Sequence, residues 1–167
     1  MDYSVPLLLG FVASTAFSHA DPDIRNQILG TWKLVSTQET MKDGTTRPFP
    51  AFGPHAKGFL IYHPDGYMSA QLMNPDRPKF SDPAHPTPQE KAAAVDGSFA
   101  YSGKYEIDEE RSHIIHFPEV ATHPGFVGSR QIRPYRVEGK RLIFSDVEQN
   151  DPSIARWEIV WQKVSEL

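Results

Sequence analysis

The sequence predicts an all-β protein, a single antiparallel up-and-down β-barrel of about eight strands with one short helix between strands 3 and 4. Three observations carry this. The apolar runs are short and rich in aromatic and β-branched residues, as strands are. The 15 Pro and 11 Gly residues fall mostly between those runs and punctuate them. Long helical crossovers are missing, so a parallel sheet has no means of connection. An eight-stranded meander closes on itself and removes its edges. A two-sheet sandwich is the architectural alternative.

Asp23 to Leu29 offers one helical turn with Ile24, Ile28 and Leu29 turned inward. Gly30 to Thr37 opens the first strand. Met41 to Pro54 is rich in Gly and Pro and is read as a loop across one barrel mouth. Gly58–His63 and Tyr67–Leu72 flank Pro64-Asp65-Gly66, a hairpin in which Pro presets the turn and Gly supplies positive φ. Thr87-Pro88-Gln89-Glu90 reads as a helix start, with a capping Thr, Pro in the first turn and Glu three residues after the cap. That helix should stop near Gly97. Five strands follow, over Phe99–Ile107, His113–Val120, Val127–Val137, Arg141–Val147 and Ile154–Lys163.

The chain has 167 residues, enough for one domain with a sizeable core, and 39% are hydrophobic. A net charge of −4 without basic clusters argues against a nucleic-acid partner. Cysteine is absent, which excludes a disulfide framework and a thiolate nucleophile. Val5 to Phe17 carries no charge and is followed by Ser18-His19-Ala20, the pattern of a cleaved signal peptide over residues 1–20. The barrel domain then occupies residues 21–167. The run is too short to span a bilayer comfortably, so no membrane span is expected after cleavage. The expected location is outside the cell or in the secretory lumen, with the cytoplasm as the alternative if the segment is retained.

Gly30-Thr31-Trp32 heads the first strand, and Gly58-Phe59-Leu60-Ile61-Tyr62 leads into Pro64-Asp65-Gly66-Tyr67-Met68. Asp76-Arg77-Pro78, Ala100-Tyr101-Ser102-Gly103-Lys104-Tyr105, His116 and Pro124-Gly125-Phe126-Val127-Gly128 with Gln131 and Arg133 complete the pattern. Together these resemble the lipocalin-like domain family of fungi and bacteria, over roughly Leu29 to Lys163. The resemblance implies that Trp32 plugs the closed end beneath a basic residue of the last strand, Arg156 or Lys163. Some fungal members of the family it resembles lie among natural-product biosynthetic genes. The family brings no shared catalytic signature. His123 before Pro124 departs from the smaller or amide residue expected there.

Strand alternation selects the residues that face the cavity. In the last strand Ala155, Trp157, Ile159 and Trp161 share the apolar face. Phe99, Tyr101, Gly103, Tyr105 and Ile107 form the inward set of the fourth. Met68, Ala70 and Leu72 are the apolar set of the third, and burying them is worth about 0.8 kcal/mol per methylene. In the sixth strand Arg130 and Arg136 mark one face as solvent-exposed, which turns Gln131, Arg133 and Tyr135 inward. An inward Arg must be paired or hydrogen-bonded, by the protein or by an anionic oxygen of a ligand. His113 and His116 lie on opposite faces, poor spacing for a metal, and periodicity does not decide which is inside. The family resemblance favours His116.

Two functions fit this interior. The first is a cofactor-free accessory enzyme of natural-product biosynthesis, an isomerase, cyclase or dehydratase. His116 would be its acid/base and Arg133 would stabilise oxyanion charge. Tyr101, Tyr105, Gln131, Tyr135, Trp157 and Met68 would contact the substrate. The second is a non-catalytic carrier or scavenger of a small molecule. Neither requires a cofactor or metal, and a homodimer is left open.

Overall fold

The computed structural model describes residues 23–164, so the expected signal peptide lies outside the described residues. Chain order is α1 (Ile24–Ile28), β1 (Gly30–Met41), β2 (Thr46–Pro48), β3 (Lys57–Tyr62), β4 (Tyr67–Met73), α2 (Pro88–Asp96) and β5 (Ser98–Asp108). Then come β6 (His113–Ala121), a 3-10 turn (Pro124–Phe126), β7 (Gln131–Glu138), β8 (Arg141–Val147) and β9 (Ile154–Lys163). Every pairing is antiparallel. Strands β3 to β9 follow one another in a meander, and β1 pairs with both β3 and β9. The result is a closed eight-stranded barrel with β2 added on the flank of β1.

The helix position is corrected. It lies after β4, not between strands 3 and 4. The physical cause is the unexpected strand β2, where Gln38–Thr40 of the long β1 pair with Thr46–Pro48 across the Asp43-Gly44 turn. Asp43-Gly44 is a local hairpin signal, but its flanks are polar and lack the apolar alternation that marks a strand. The helix itself is capped as expected. Thr87 accepts from the Glu90 backbone, Glu90 accepts in return from the Thr87 N–H, and the helix ends at Gly97. A further backbone donor, Ser81 N–H, also bonds Glu90, and these bonds hold its carboxyl down at about 2.

α1 closes one end of the barrel. Asp23 caps it by accepting from Arg25 N–H, and Ile28 is fully buried. Trp32, 1% exposed, donates its indole N–H to the Ile28 carbonyl at 2.7 Å. Of the two basic residues the resemblance implied, Lys163 covers Trp32, with Nζ 4.8 Å from the ring centre. The same ammonium bonds the Gln27 and Leu29 carbonyls. Carbonyls that the end of a short helix leaves unpaired are thereby satisfied. Arg156 faces outward and bonds Glu158.

Two irregularities set which side chains point inward. The β1–β9 register shifts between Leu34 and Ser36. Trp32 and Leu34 face the core before the shift; after it Thr37 does, and Glu39 lines the interior. A bulge changes the side-chain parity in this way. The β5–β6 register shifts between Ser102 and Gly103. There a Cβ on residue 103 would lie 2.0 Å from the Phe117 carbonyl oxygen and 2.8 Å from Glu119 N. Gly103→Ala should therefore destabilise the barrel by about 3 kcal/mol, the upper end for overpacking against backbone. Chemical denaturation measures this, and a change below about 0.5 kcal/mol, that of an ordinary surface substitution, would contradict it.

Candidate functional site

The end opposite α1 opens into a cavity of about 410 Å³. Its walls are largely aromatic: Phe99 and Tyr101 from β5, Phe144 from β8, and Trp157 and Trp161 from β9. Phe49 and Phe52, from the segment between β2 and β3, flank the mouth with Phe126 of the 3-10 turn. Phe126 packs edge-on against Phe99 at 4.7 Å. His123 packs edge-on against Phe126 with ring centres 5.8 Å apart, so the family departure borders the mouth through that ring. Glu39 and Glu148 also line the cavity, and Glu39 is paired with Arg47 at 2.7 Å.

Arg133 is the positive charge in this cavity lining. Its guanidinium donates to the Gln131 Oε1 at 3.3 Å and to the Ile132 carbonyl at 3.1 Å. Among the described residues no carboxylate pairs with it. Gln131 in turn donates to Ser129 Oγ at 2.9 Å, and Ser129 donates to the Phe126 carbonyl at 2.6 Å. The rim ring and the interior cation are thus joined by one chain of hydrogen bonds. The Trp161 indole N–H is buried with no acceptor among the described residues.

His116, 0% exposed, lies behind the lining. Its Nδ1 is 2.8 Å from the Tyr101 hydroxyl and its Nε2 is 2.7 Å from the Tyr62 hydroxyl. Burial, and after it the Arg133 charge, hold the imidazole pKa well below the ordinary 6.5. Burial raises both phenols above their ordinary 10, with the Arg133 charge opposing it. At neutral pH the trio is therefore Tyr-OH, neutral His and Tyr-OH. A histidine held this way has no free lone pair to offer a cavity ligand.

The depressed imidazole pKa has a thermodynamic consequence. Below pH 6.5 the unfolded chain protonates this histidine while the native chain does not. The unfolded state then binds more protons, and stability rises with pH through that window. Stability at pH 7 should exceed that at pH 5.5, with His116 supplying at most about 1.4 kcal/mol per pH unit. Denaturation at both pH values for wild type and His116→Gln checks this. An equal slope in the variant would contradict the assignment.

The other expected ligand contacts divide by height along the barrel. Tyr101, Gln131, Arg133 and Trp157 line the cavity together. Met68, Tyr105 and Tyr135 are not in its lining. Met68 is buried opposite Tyr62 and Gly103, towards the closed end. Tyr105 bonds the His63 carbonyl at 3.0 Å and borders an outer groove beside α1. Burial, and after it the charges of Glu109 in the β5–β6 turn and of Asp108 at the end of β5, raise the Tyr135 phenol above its ordinary 10. All three take the face that alternation assigns, but sit too near the closed end. Phe144 and Glu39 are lining residues that the sequence reading did not single out, and Tyr62 and Phe126 entered it only as part of the family pattern, without a site role.

This architecture agrees with what the chain is similar to. A family model described as a lipocalin-like domain matches residues 29–164. A curated relative from Aspergillus oryzae (strain ATCC 42149 / RIB 40), named a 4'-hydroxy-3'-methoxypropiophenone carrier protein, is 31% identical over 88 residues. The match covers 48% of this chain and 79% of that protein. No solved structure matches this chain. The closed barrel, its Trp32 plug and the family match over nearly all the described residues make this chain a member of the lipocalin-like domain family.

Proposed function

We propose that the barrel binds one small oxygenated aromatic metabolite in its cavity and carries it chemically unaltered. The observation that carries this reading is a cavity of about 410 Å³ with aromatic walls and an Arg133 that forms no ion pair among the described residues. That volume lies in the range of about 300–1,000 Å³ usual for small-ligand sites. Flat aromatic walls suit a ring, and the interior guanidinium suits an oxygen acceptor. The name of the Aspergillus relative supports the same class, since the compound it is named for is an aryl ketone.

The state of His116 favours carriage over catalysis. Both ring nitrogens are occupied, and the ring lies outside the cavity lining. A second reading, the cofactor-free accessory enzyme, retains support from Arg133 beside the Tyr101 hydroxyl. Together these groups would polarise a carbonyl without any histidine base.

Native mass spectrometry of the purified protein, with small-molecule analysis of its denatured extract, separates the readings. A stoichiometric aromatic compound, recovered unchanged after long incubation with the protein, is the expected result. Conversion of that compound would overturn carriage in favour of the enzyme. The uncharged N-terminal run supports work outside the cell or in the secretory lumen. N-terminal sequencing of secreted protein should then begin at Asp21, and an intact Met1 would contradict it.

A further inference from the structure

Two buried phenols share one histidine. A neutral imidazole donates through one nitrogen and accepts through the other. Tyr62 and Tyr101 each carry one hydroxyl hydrogen, and His116 is the only acceptor in hydrogen-bond range of either among the described residues. It accepts from one of them only, so one phenolic hydrogen must go elsewhere. Tyr62 is 1% exposed, is not in the cavity lining and has no alternative acceptor among the described residues. A buried donor left unpaired is costly. Tyr101 lines the cavity, where a ligand atom can accept its hydrogen.

We infer that Tyr62 donates to His116 Nε2, that His116 Nδ1–H donates to the Tyr101 oxygen, and that the Tyr101 hydrogen is thereby directed into the cavity as a second donor beside Arg133. The ligand feature that two such donors recognise is a carbonyl oxygen, which has two lone pairs and no hydrogen of its own. His116 is then a positioning residue that fixes the direction of the Tyr101 hydroxyl. This deepens the carrier reading and rests on it for the ligand. The imidazole tautomer does not depend on it.

The test has two arms. Long-range proton–nitrogen correlation spectra of ligand-free protein, labelled with nitrogen-15 at histidine, report which His116 nitrogen is protonated. Nδ1–H is expected, and Nε2–H would overturn the inference whatever the protein binds. The second arm compares propiophenone with propylbenzene, which keeps the skeleton and lacks the oxygen. Propiophenone should bind more tightly. Tyr101→Phe should weaken it by about 3- to 10-fold, the worth of one neutral hydrogen bond, and leave propylbenzene unchanged. Equal affinities in the wild type, or equal losses for both compounds, would overturn the donor assignment. Should neither compound bind, aryl-ketone carriage falls and the spectrum alone decides the proton arrangement.

Discussion

Arg133→Met should weaken binding of an aryl ketone by about 10- to 100-fold without lowering the melting temperature. The two halves of this expectation share one cause. Arg133 lies in a cavity wall and has no carboxylate partner among the described residues. A charged donor on a ligand oxygen is worth about 1.5–3 kcal/mol, which gives the affinity loss. An uncompensated, partly buried cation contributes no net stability, so an apolar side chain of similar length costs the fold little. Titration calorimetry and a thermal melt read the two quantities separately. A residue that mainly braces the barrel would show the reverse, a lower melting temperature with affinity intact.

The largest stability effect is expected at the opposite end. Trp32→Ala removes the ring that seals the barrel, the indole N–H bond to Ile28 and the surface on which Lys163 sits. Large aromatic truncations in a core cost about 3–5 kcal/mol. Against a total of about 5–15 kcal/mol for a typical domain, that is a large share. The melting temperature should fall by roughly 10–20 °C. Lys163→Met should cost less, because the α1 carbonyls lose a donor while the ring stays packed. A Trp32→Ala variant within a few degrees of wild type would show that α1 and Lys163 close the end without the ring.

Alternation in the sequence was enough to place Trp157, Ile159 and Trp161 inside, and to choose Gln131 and Arg133 over Arg130 and Arg136. Between Arg156 and Lys163 the sequence leaves the choice open, and the fold takes Lys163, which shares parity with Trp161 while Arg156 lies with Glu158. Alternation reports the face and not the height. Met68, Tyr105 and Tyr135 point the right way, but the stagger between strands carries them below the cavity floor. Bulges limit the method further. The extra residue at Val35 reverses the inward parity of β1, so Glu39 reaches the lining unannounced. In β3 the exposed Phe59 and Ile61 are as apolar as the buried Leu60 and Tyr62, and the run has no readable period. The contact that occupies His116 Nε2 joins residues 54 apart in the chain. Only the closed sheet brings them together.

A crystal structure of the protein with 4'-hydroxy-3'-methoxypropiophenone shows whether the aromatic cavity is the ligand site. The ring should lie between Phe144 and Trp157, with the ketone oxygen within about 3 Å of both the Arg133 guanidinium and the Tyr101 hydroxyl. The compound bound on the outer face of the barrel, beside a cavity without it, would rule the cavity out as its site.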